Sequence, residues 1–258
     1  MTGYKKGKKS WIGLTVAVIM LGAVSITTTS MAQGASFAGT EASVQDENES
    51  DPWEPFNSVM FSFNRDILDR YVLKPVAQGW NFVVPEVVQR SVRNAMDNIN
   101  MPSRLVNSLA QGKFVGAGRE VARFTVNSTV GVGGLFDLSK DWLGIEKSDE
   151  DTGQTLGFYG VGQGPYLVLP FLPPLNVRDG IGYAADAAMN PLNYILPFAA
   201  GADGATTAGA LAGIAFTDAV NRRSLNLERY EGVEETVIDL YSAVRSAYLQ
   251  QREAKIKE

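Results

Sequence analysis

The stretch "GFYGVGQGPYLVLPFLPPLNV", Gly157 to Val177, contains no charged side chain and decides between several folds. A dinucleotide-binding turn needs G-x-G-x-x-G between a strand and a helix. This stretch instead reads G-x-G-x-G and continues with Pro165, which removes a backbone donor. It also lacks the Gly-Lys-Ser/Thr of a phosphate loop, and its glycines and prolines would break a transmembrane helix. We therefore expect an irregular, charge-free wall in a core or along a cavity.

The composition limits the chemistry available to the protein. The chain has 258 residues, 45% of them hydrophobic, which is enough for one globular domain with a core. It contains no histidine and no cysteine. These absences exclude a Ser-His-Asp triad, an imidazole base, a thiol nucleophile and an ordinary catalytic zinc site. Carboxylate, lysine or tyrosine chemistry remains open, so an enzyme is disfavoured, and no cofactor or metal is expected.

The amino terminus has the pattern of an export signal. Four lysines within "MTGYKKGKKS" precede the apolar run "WIGLTVAVIMLGAVSI" and a tail of small residues. This predicts a signal peptide over residues 1–32, with cleavage after Ala32 or, as second choice, after Ala38. The alternative is an uncleaved membrane anchor, because the run is near the lower length limit for a span.

Removal of the four signal lysines changes the charge of the chain. It leaves 19 of the 23 basic residues against 28 acidic ones, a net charge of −9. Such a chain is a poor match for nucleic acid or for an anionic lipid surface held by charge. Any membrane contact is therefore expected to be apolar.

The rest of the chain is predicted to be a short linker and a single domain. Residues 33–50 are small, polar or acidic, which is typical of a disordered linker. The domain is expected over residues 51–258 and to be mainly α. A first helix is predicted from the apolar spacing Phe56, Met60, Phe63, Ile67 and Tyr71, with Pro75 stopping or kinking it.

Further helices follow from amphipathic spacing. "PEVVQRSVRNAMDNI" predicts a second helix with Val87 and Val88 on its apolar face and Gln89 on its polar face. A short third helix is expected behind Pro102 and a fourth is expected to end at Gly131. One continuous apolar stripe from Tyr230 to Tyr248 predicts a single last helix with a solvated or disordered charged end, and "PYLVLPF" predicts at most an edge strand.

The acidic residues in "SDEDTGQTLG" have two interpretations. A carboxylate-dependent hydrolase would use Asp149, Asp151 or the later Asp179 as its acid. A calcium-binding loop is not supported, because the positions of its further ligands are glycines. A helix cap at Asp151 or Thr152 is favoured instead. Arg178 and Asp179 are favoured as an ion pair.

A second charge-poor region runs from Tyr183 to Arg222 and is rich in alanine and glycine. Small residues allow helices to approach closely, as they do inside membranes. Pro191, Pro197 and Asp203 interrupt it, so it does not form one clean span. Two long, broken, charge-poor segments are typical of a protein that lies in one leaflet or encloses a lipid path.

Four ordered motifs carry a family resemblance. They are "DPWEPFNSVMFSFNRDILDRYVLKPVAQGW" (Asp51–Trp80), "FTVNSTVGVGGLFDLS" (Phe124–Ser139), "DTGQTLGFYGVGQGPYLVLPFLPPLNVRDGIG" (Asp151–Gly182) and "YSAVRSAYLQQR" (Tyr241–Arg252). Together the chain resembles the MlaA/VacJ family of outer-membrane phospholipid-transport proteins. The resemblance implies a ring-like helical domain with irregular Gly/Pro-rich segments around an amphipathic lipid channel.

The same resemblance implies a function and partners. Such a protein sits in the inner leaflet of the outer membrane, on its periplasmic side. It removes mislocalised phospholipid from the outer leaflet and so maintains lipid asymmetry. It associates with trimeric porins and passes lipid to a soluble periplasmic carrier. The alternative from the residues is a soluble periplasmic lipid-binding carrier module.

Candidate path residues follow from the motifs. The glycine-rich turns would let the backbone curve tightly along a lipid path, beside aromatic side chains that form its amphipathic surface; the expected path residues are Gly133, Gly134, Phe136, Tyr159, Gly162, Gly164, Pro165 and Tyr166. Residues near the leaflet or a gate are expected to be Phe61, Phe63 and Asn64. Many family members are lipoproteins attached through a cysteine, and this sequence contains none. Attachment is therefore expected to rest on apolar surface or on a partner.

Overall fold

The computed structural model describes residues 51–200 and 204–258. The expected signal peptide and linker lie outside the described residues and stay predictions. Helices dominate the described ranges, as expected; they are α1 (Glu54–Ser62), a π-helical segment (Phe63–Leu73), α2 (Lys74–Val83), α3 (Glu86–Ile99), α4 (Met101–Ala110), α5 (Phe114–Thr129), α6 (Leu138–Asp141), α7 (Thr152–Phe158), α8 (Val177–Ala188), α9 (Leu192–Ala200), α10 (Gly204–Ser224), α11 (Leu227–Thr236) and α12 (Leu240–Lys257). None of these helices combines the length and the apolar content that a membrane crossing requires.

The first helical stretch runs further than the sequence predicts. α1 continues into an 11-residue π-helical segment, which ends where the Lys74 N–H donates to the Asp69 carbonyl. Pro75 then lies in the first turn of α2, where its missing N–H group is not needed. Of the two expectations for Pro75, the stop is therefore wrong, because the helical stretch extends to Val83; the kink stays a prediction.

The irregular wall expected around Pro165 contains a short β-hairpin. Strands β1 (Tyr166–Leu167) and β2 (Leu175–Asn176) pair antiparallel, with Tyr166 opposite Asn176. Prolines at the turn restrict the hairpin to two residues on each side. Its inward side chains form an apolar core cluster of Tyr166, Val168 and Leu175 together with Tyr248 of α12.

The carboxyl-terminal stripe forms two helices, so the prediction of one continuous helix is wrong. Val237 is extended between α11 and α12. Val237 and Ile238 are β-branched and poor helix formers, and the Asp239 side chain caps α12 by accepting from the Ser242 N–H. The end of α12 is helical, so the expectation of a disordered end is wrong. Arg252 docks on Asp151, whereas Glu253 and Lys257 are solvent-exposed, as the alternative expectation of a solvated end had it.

The helices pack around a closed circuit. Contacts lead from the π-helical segment to α2, then to α10, α3, α5, α4, α7 and α12. From α12 the circuit returns through the hairpin, where Tyr248 contacts the Tyr166 ring. It closes at α1, where Asn57 hydrogen-bonds to the Tyr166 carbonyl. This closed circuit agrees with the ring-like helical domain that the family resemblance implies.

Candidate functional site

The outer surface of the protein is strongly apolar. Phe82 of α2 is 92% exposed and Phe198 of α9 is 87% exposed. Phe114 at the start of α5 and Trp142 after α6 also lie largely in the open. These side chains come from different parts of the circuit, so the apolar surface is not confined to one patch. Extended exposed apolar surface on a folded protein marks contact with a partner or a membrane.

The interior is correspondingly polar. Within the described ranges twenty polar or charged residues are buried against ten apolar ones, which reverses the usual preference. Helix α3 shows this on its two faces. Val87 is 68% exposed and Val88 is also exposed, whereas Gln89 is fully buried. The helix predicted from this spacing is present, but in its first turn Val87 and Val88 point outward and Gln89 points inward.

Hydrogen bonds satisfy these buried groups across the circuit. The Gln89 amide donates to the Val84 carbonyl (2.8 Å) and accepts from Ser224 Oγ (2.7 Å). Asn221 Nδ2 donates to the Gln89 carbonyl (2.8 Å), and Asn221 Oδ1 accepts from Trp80 Nε1 (3.0 Å). Because buried amides need partners, these contacts lock the end of α10 between α2 and α3.

Ion pairs continue the polar interior toward α4 and α5. Arg104 Nε lies 2.8 Å from Oε2 of Glu120, which is fully buried. Arg123 Nη2 lies 2.8 Å from Asp137 Oδ2. Burial of Asp137 opposes its ionisation, but hydrogen bonds from Arg123, Asn127 and Ser139 outweigh burial and lower the Asp137 pKa below its usual value. These groups surround a small polar cavity between α3 and α5.

Two asparagines hold the hairpin against the first helical stretch. Asn57 Nδ2 donates to the Tyr166 carbonyl and Asn57 Oδ1 accepts from the Val168 N–H, both at 2.9 Å. Two helical turns later, Asn64 donates to the Leu169 carbonyl (2.8 Å) and accepts from the Phe171 N–H (3.1 Å). The second pair spans the tip of the hairpin, where Phe171 has a positive φ of 65°.

The structure places the first group of expected path residues in the turn after α5. Gly133 and Gly134 both have positive φ, and a Cβ at Gly134 would lie 2.6 Å from the side chain of Asn98. The Phe136 ring is exposed, and the neighbouring Leu135 carbonyl accepts from Asn94 Nδ2 of α3 (3.3 Å). This turn therefore lies directly on α3.

The second group lies near the other end of α5. Tyr159 is exposed and its hydroxyl donates to the Ala110 carbonyl, just before α5 begins. Gly162 faces open space, whereas Gly164 has a φ of 66° against Val177. Because α5 has 16 residues, about 24 Å separate its ends. The structure thus does not bring the two groups into one cluster.

The remaining candidates lie at the hairpin. Pro165 is half-buried and precedes β1, and Tyr166 is buried against Tyr241 and Tyr248. Phe61 packs edge-on against Tyr241, with ring centroids 5.7 Å apart. Phe63 packs likewise on Phe171 at 6.1 Å, beside the Asn64 contact. The expected gate residues are thus brought together at the hairpin tip and its flank.

The candidate acids of a hydrolase are held by cations. Arg252 Nη2 lies 2.8 Å from Asp151 Oδ1, and Arg252 Nε lies 2.7 Å from Asp179 Oδ2. Asp151 also caps α7 by accepting from the Gln154 N–H (2.8 Å), as predicted. Arg178 pairs with Asp179 at 3.0 Å, again as predicted. Burial opposes ionisation of Asp151, but the Arg252 hydrogen bond and charge lower its pKa, so this carboxyl is a poor proton donor.

Sequence reasoning missed the residues that build the interior. No sequence pattern predicts the contacts of Asn57, Gln89, Asn221 and Arg252, each of which joins distant parts of the chain. One signal was available: Asn57 and Asn64 stand seven residues apart, which places two amides on one helix face.

Fold and site together define a helical protein with a polar interior and an apolar exterior. The profile of the family described as "MlaA lipoprotein" matches residues 49–255. The chain therefore belongs to the MlaA lipoprotein family, as the sequence motifs indicated.

Individual relatives agree with this family. A Haemophilus influenzae protein named "Intermembrane phospholipid transport system lipoprotein MlaA" is 30% identical over 246 residues, which cover 95% of this chain and 91% of the relative. A Shigella flexneri protein of the same name is 34% identical over 69% of each chain. A Rickettsia bellii protein is 34% identical over 80% of this chain and 77% of its own.

A solved structure shares the fold. It comes from work described as "Structural basis for maintenance of bacterial outer membrane lipid asymmetry". It matches with a TM-score of 0.68 at 31% identity, over 80% of this chain and 99% of the solved chain. The mainly helical fold expected from the sequence is thereby confirmed.

Proposed function

We propose that this protein transports phospholipid at the outer membrane, removing mislocalised phospholipid from the outer leaflet and passing it to a soluble periplasmic carrier. Membership of the MlaA family and the names of its relatives support this function. The observation that carries it is the reversal of polarity, with exposed Phe82 and Phe198 outside and buried Gln89 and Glu120 inside. Exposed apolar side chains suit contact with acyl chains, because burying them in an apolar medium is favourable.

The proposed location is the inner leaflet of the outer membrane. Helix α2 has 10 residues and is about 15 Å long, which matches half of a hydrocarbon core of about 30 Å. Its apolar end, Phe82 and Val83, is exposed. Helices of this length and polarity suit a protein that lies within one leaflet, with a trimeric porin as its membrane partner.

The path residues remain proposals within this function. The turn with Gly133, Gly134 and Phe136 offers exposed apolar groups beside the polar face of α3. The hairpin tip with Phe63 and Asn64 is the proposed gate. We propose no enzymatic activity, because Asp151 and Asp179 are occupied as a helix cap and in ion pairs with arginines.

A charge placed on the apolar surface tests the location. Phe198→Glu is expected to shift the protein from the membrane fraction to the carbonate-released fraction and to raise surface-exposed phospholipid in cells. Gln250→Glu adds the same charge at an exposed polar position of α12 and serves as the matched control.

The alternative function, a soluble periplasmic lipid carrier, makes the opposite prediction. The wild-type protein would then leave the membrane in a high-salt or carbonate wash, and Phe198→Glu would change nothing. Retention of the wild type together with release of Phe198→Glu would exclude the carrier function. A strain lacking the gene that shows normal surface phospholipid would refute transport itself.

A further inference from the structure

A group of basic side chains surrounds one carboxylate on the inner side of α3. Lys147 Nζ lies 3.6 Å from Asp97 Oδ1, and Arg104 Nη2 donates to the Asp97 carbonyl (2.9 Å). Arg93 stands one turn before Asp97 on the same helix. Arg222 of α10 also acts on Asp97 electrostatically. We call Arg93, Asp97, Arg104, Lys147 and Arg222 the Asp97 cluster.

The cations of the Asp97 cluster differ in how they are engaged. Arg104 is paired with buried Glu120 at 2.8 Å, and Arg222 is paired with buried Asp218 at 3.0 Å. Within the ranges 51–200 and 204–258, Arg93 forms no hydrogen bond or ion pair. The four cations of the Asp97 cluster therefore face three carboxylates, those of Asp97, Glu120 and Asp218, which leaves a surplus of one positive charge.

Lys147 is not fully engaged by Asp97. A direct ammonium–carboxylate hydrogen bond measures about 2.7–2.9 Å, so the 3.6 Å between Lys147 and Asp97 is not a closed contact. The side chains of Lys147 and Asp97 are about one quarter and one fifth exposed, at 26% and 21%. Burial opposes ionisation of Asp97, yet the four cations outweigh it and lower its pKa, so the carboxylate stays charged.

The Asp97 cluster lies beside the proposed lipid path. Asn98, the next residue after Asp97, faces Gly134, and Asn94 donates to the Leu135 carbonyl. The exposed side chains of Leu135 and Phe136 offer an apolar surface next to the cluster. An acyl chain on that surface would place its head group close to Asp97.

We propose that the Asp97 cluster binds the phosphodiester of a phospholipid head group through Arg93 and Lys147. Asp97 accepts a hydrogen bond from the ammonium group of the same head group. Zwitterionic head groups therefore match the cluster better than anionic ones, since they bring both charges. This inference rests on the proposed transport function and names the class of head group that it favours.

Binding to the purified full chain in a neutral maltoside detergent tests the cluster. The probes are dihexanoylphosphatidylethanolamine, dihexanoylphosphatidylglycerol and inorganic phosphate, titrated by calorimetry. Arg93→Gln and Lys147→Gln are each expected to weaken binding of both lipids by roughly 10-fold or more, as loss of a charged hydrogen bond predicts. Arg90→Gln and Lys140→Gln remove exposed charges nearby and are expected to change binding less than about two-fold.

Asp97→Asn is expected to change the affinity for the ethanolamine lipid and for the other two probes in opposite directions. It is expected to weaken binding of the ethanolamine lipid but to strengthen binding of the glycerol lipid and of phosphate, because a negative charge is removed. Equal changes for all three probes would overturn the role of Asp97. Inorganic phosphate binding as tightly as either lipid would assign the cluster to free phosphate and overturn the head-group proposal.

Transport in cells separates this inference from the proposed function. If wild-type protein restores low surface phospholipid and the Arg93→Gln/Lys147→Gln double variant, folded by circular dichroism, restores it equally, the inference fails while transport stands. If wild-type protein itself does not restore it, the proposed function fails. A folded double variant that restores it poorly supports both.

Discussion

Replacement of Arg252 is expected to undock the carboxyl-terminal helix. Its side chain is mostly buried and binds Asp151 through both terminal nitrogens while Nε faces Asp179. Arg252→Met keeps much of the apolar stem and leaves two carboxylates without this cation. Removal of one partner from a buried ion pair costs about 3–5 kcal/mol. Because Asp151 is one third exposed and water can reach it, we expect the lower end, about 3 kcal/mol.

Denaturant unfolding in detergent, followed by tryptophan fluorescence, measures this loss. Lys257→Met is the control, because Lys257 pairs with Glu253 on the same helix but is exposed. The control is expected to leave the unfolding midpoint unchanged. A loss for Arg252→Met as small as that of the control would refute the docking role of Arg252.

The pH dependence provides a second check on Arg252. Burial raises the Asp151 pKa, but the hydrogen bond and charge of Arg252 lower it further than burial raises it. A lowered folded pKa contributes stability that is present above the ordinary aspartate pKa of about 4 and is lost as pH falls through the folded value. The wild type should therefore lose stability on acidification below about pH 4 more steeply than Arg252→Met.

Two further substitutions probe close packing and the hairpin. Gly182→Ala places a Cβ 2.2 Å from the Gly153 backbone nitrogen, so α7 and α8 must separate at a cost of about 1–3 kcal/mol or more. The control is Gly209→Ala, whose Cβ meets open space in α10. Thermal unfolding should show that this control gains up to about 1 kcal/mol of stability. Asn57→Ala removes the acceptor of the Val168 N–H, and amide exchange at Val168 should accelerate by roughly 5-fold to 100-fold.

For each of these substitutions, one result would contradict the prediction. Equal stability changes for the two glycine variants would show that α7 and α8 adapt without cost. Unchanged exchange at Val168 would mean that the strand pairing of β1 and β2 holds the hairpin without Asn57.

The helices were predictable because apolar spacing is a local property of the chain. The spacing in α3 reports that the helix has two unlike faces, but it does not report which face meets the interior. That choice depends on the surrounding medium, and the usual assumption of an apolar core would place Val87 and Val88 inward. In the structure both valines are exposed and Gln89 is buried.

The break between the last two helices and the long-range contacts were harder to predict from the sequence. The break between α11 and α12 is marked by the Asp239 cap at the start of α12, which a continuous apolar stripe conceals. Asn57 meets the hairpin 109 residues later, and Gln89 meets Ser224 135 residues later. Hydrophobic periodicity contains no information on such pairs. The cap at Asp151 was predictable, because its pattern lies within four residues.

The reversed polarity implies a reversed hierarchy of stabilising residues. In a water-soluble protein, truncation of a valine on the apolar face of a helix costs more than truncation of a surface amide. Here Val87 is turned outward, so Val87→Ala in detergent should change the free energy of unfolding by no more than about 0.5 kcal/mol. Gln89→Ala leaves the Ser224 hydroxyl and the Val84 carbonyl without their hydrogen-bond partner. It should lower the free energy of unfolding by about 1–3 kcal/mol. The opposite order would mean that the valine face of α3 is the packed one, and the assignment of the exterior to lipid would fail with it.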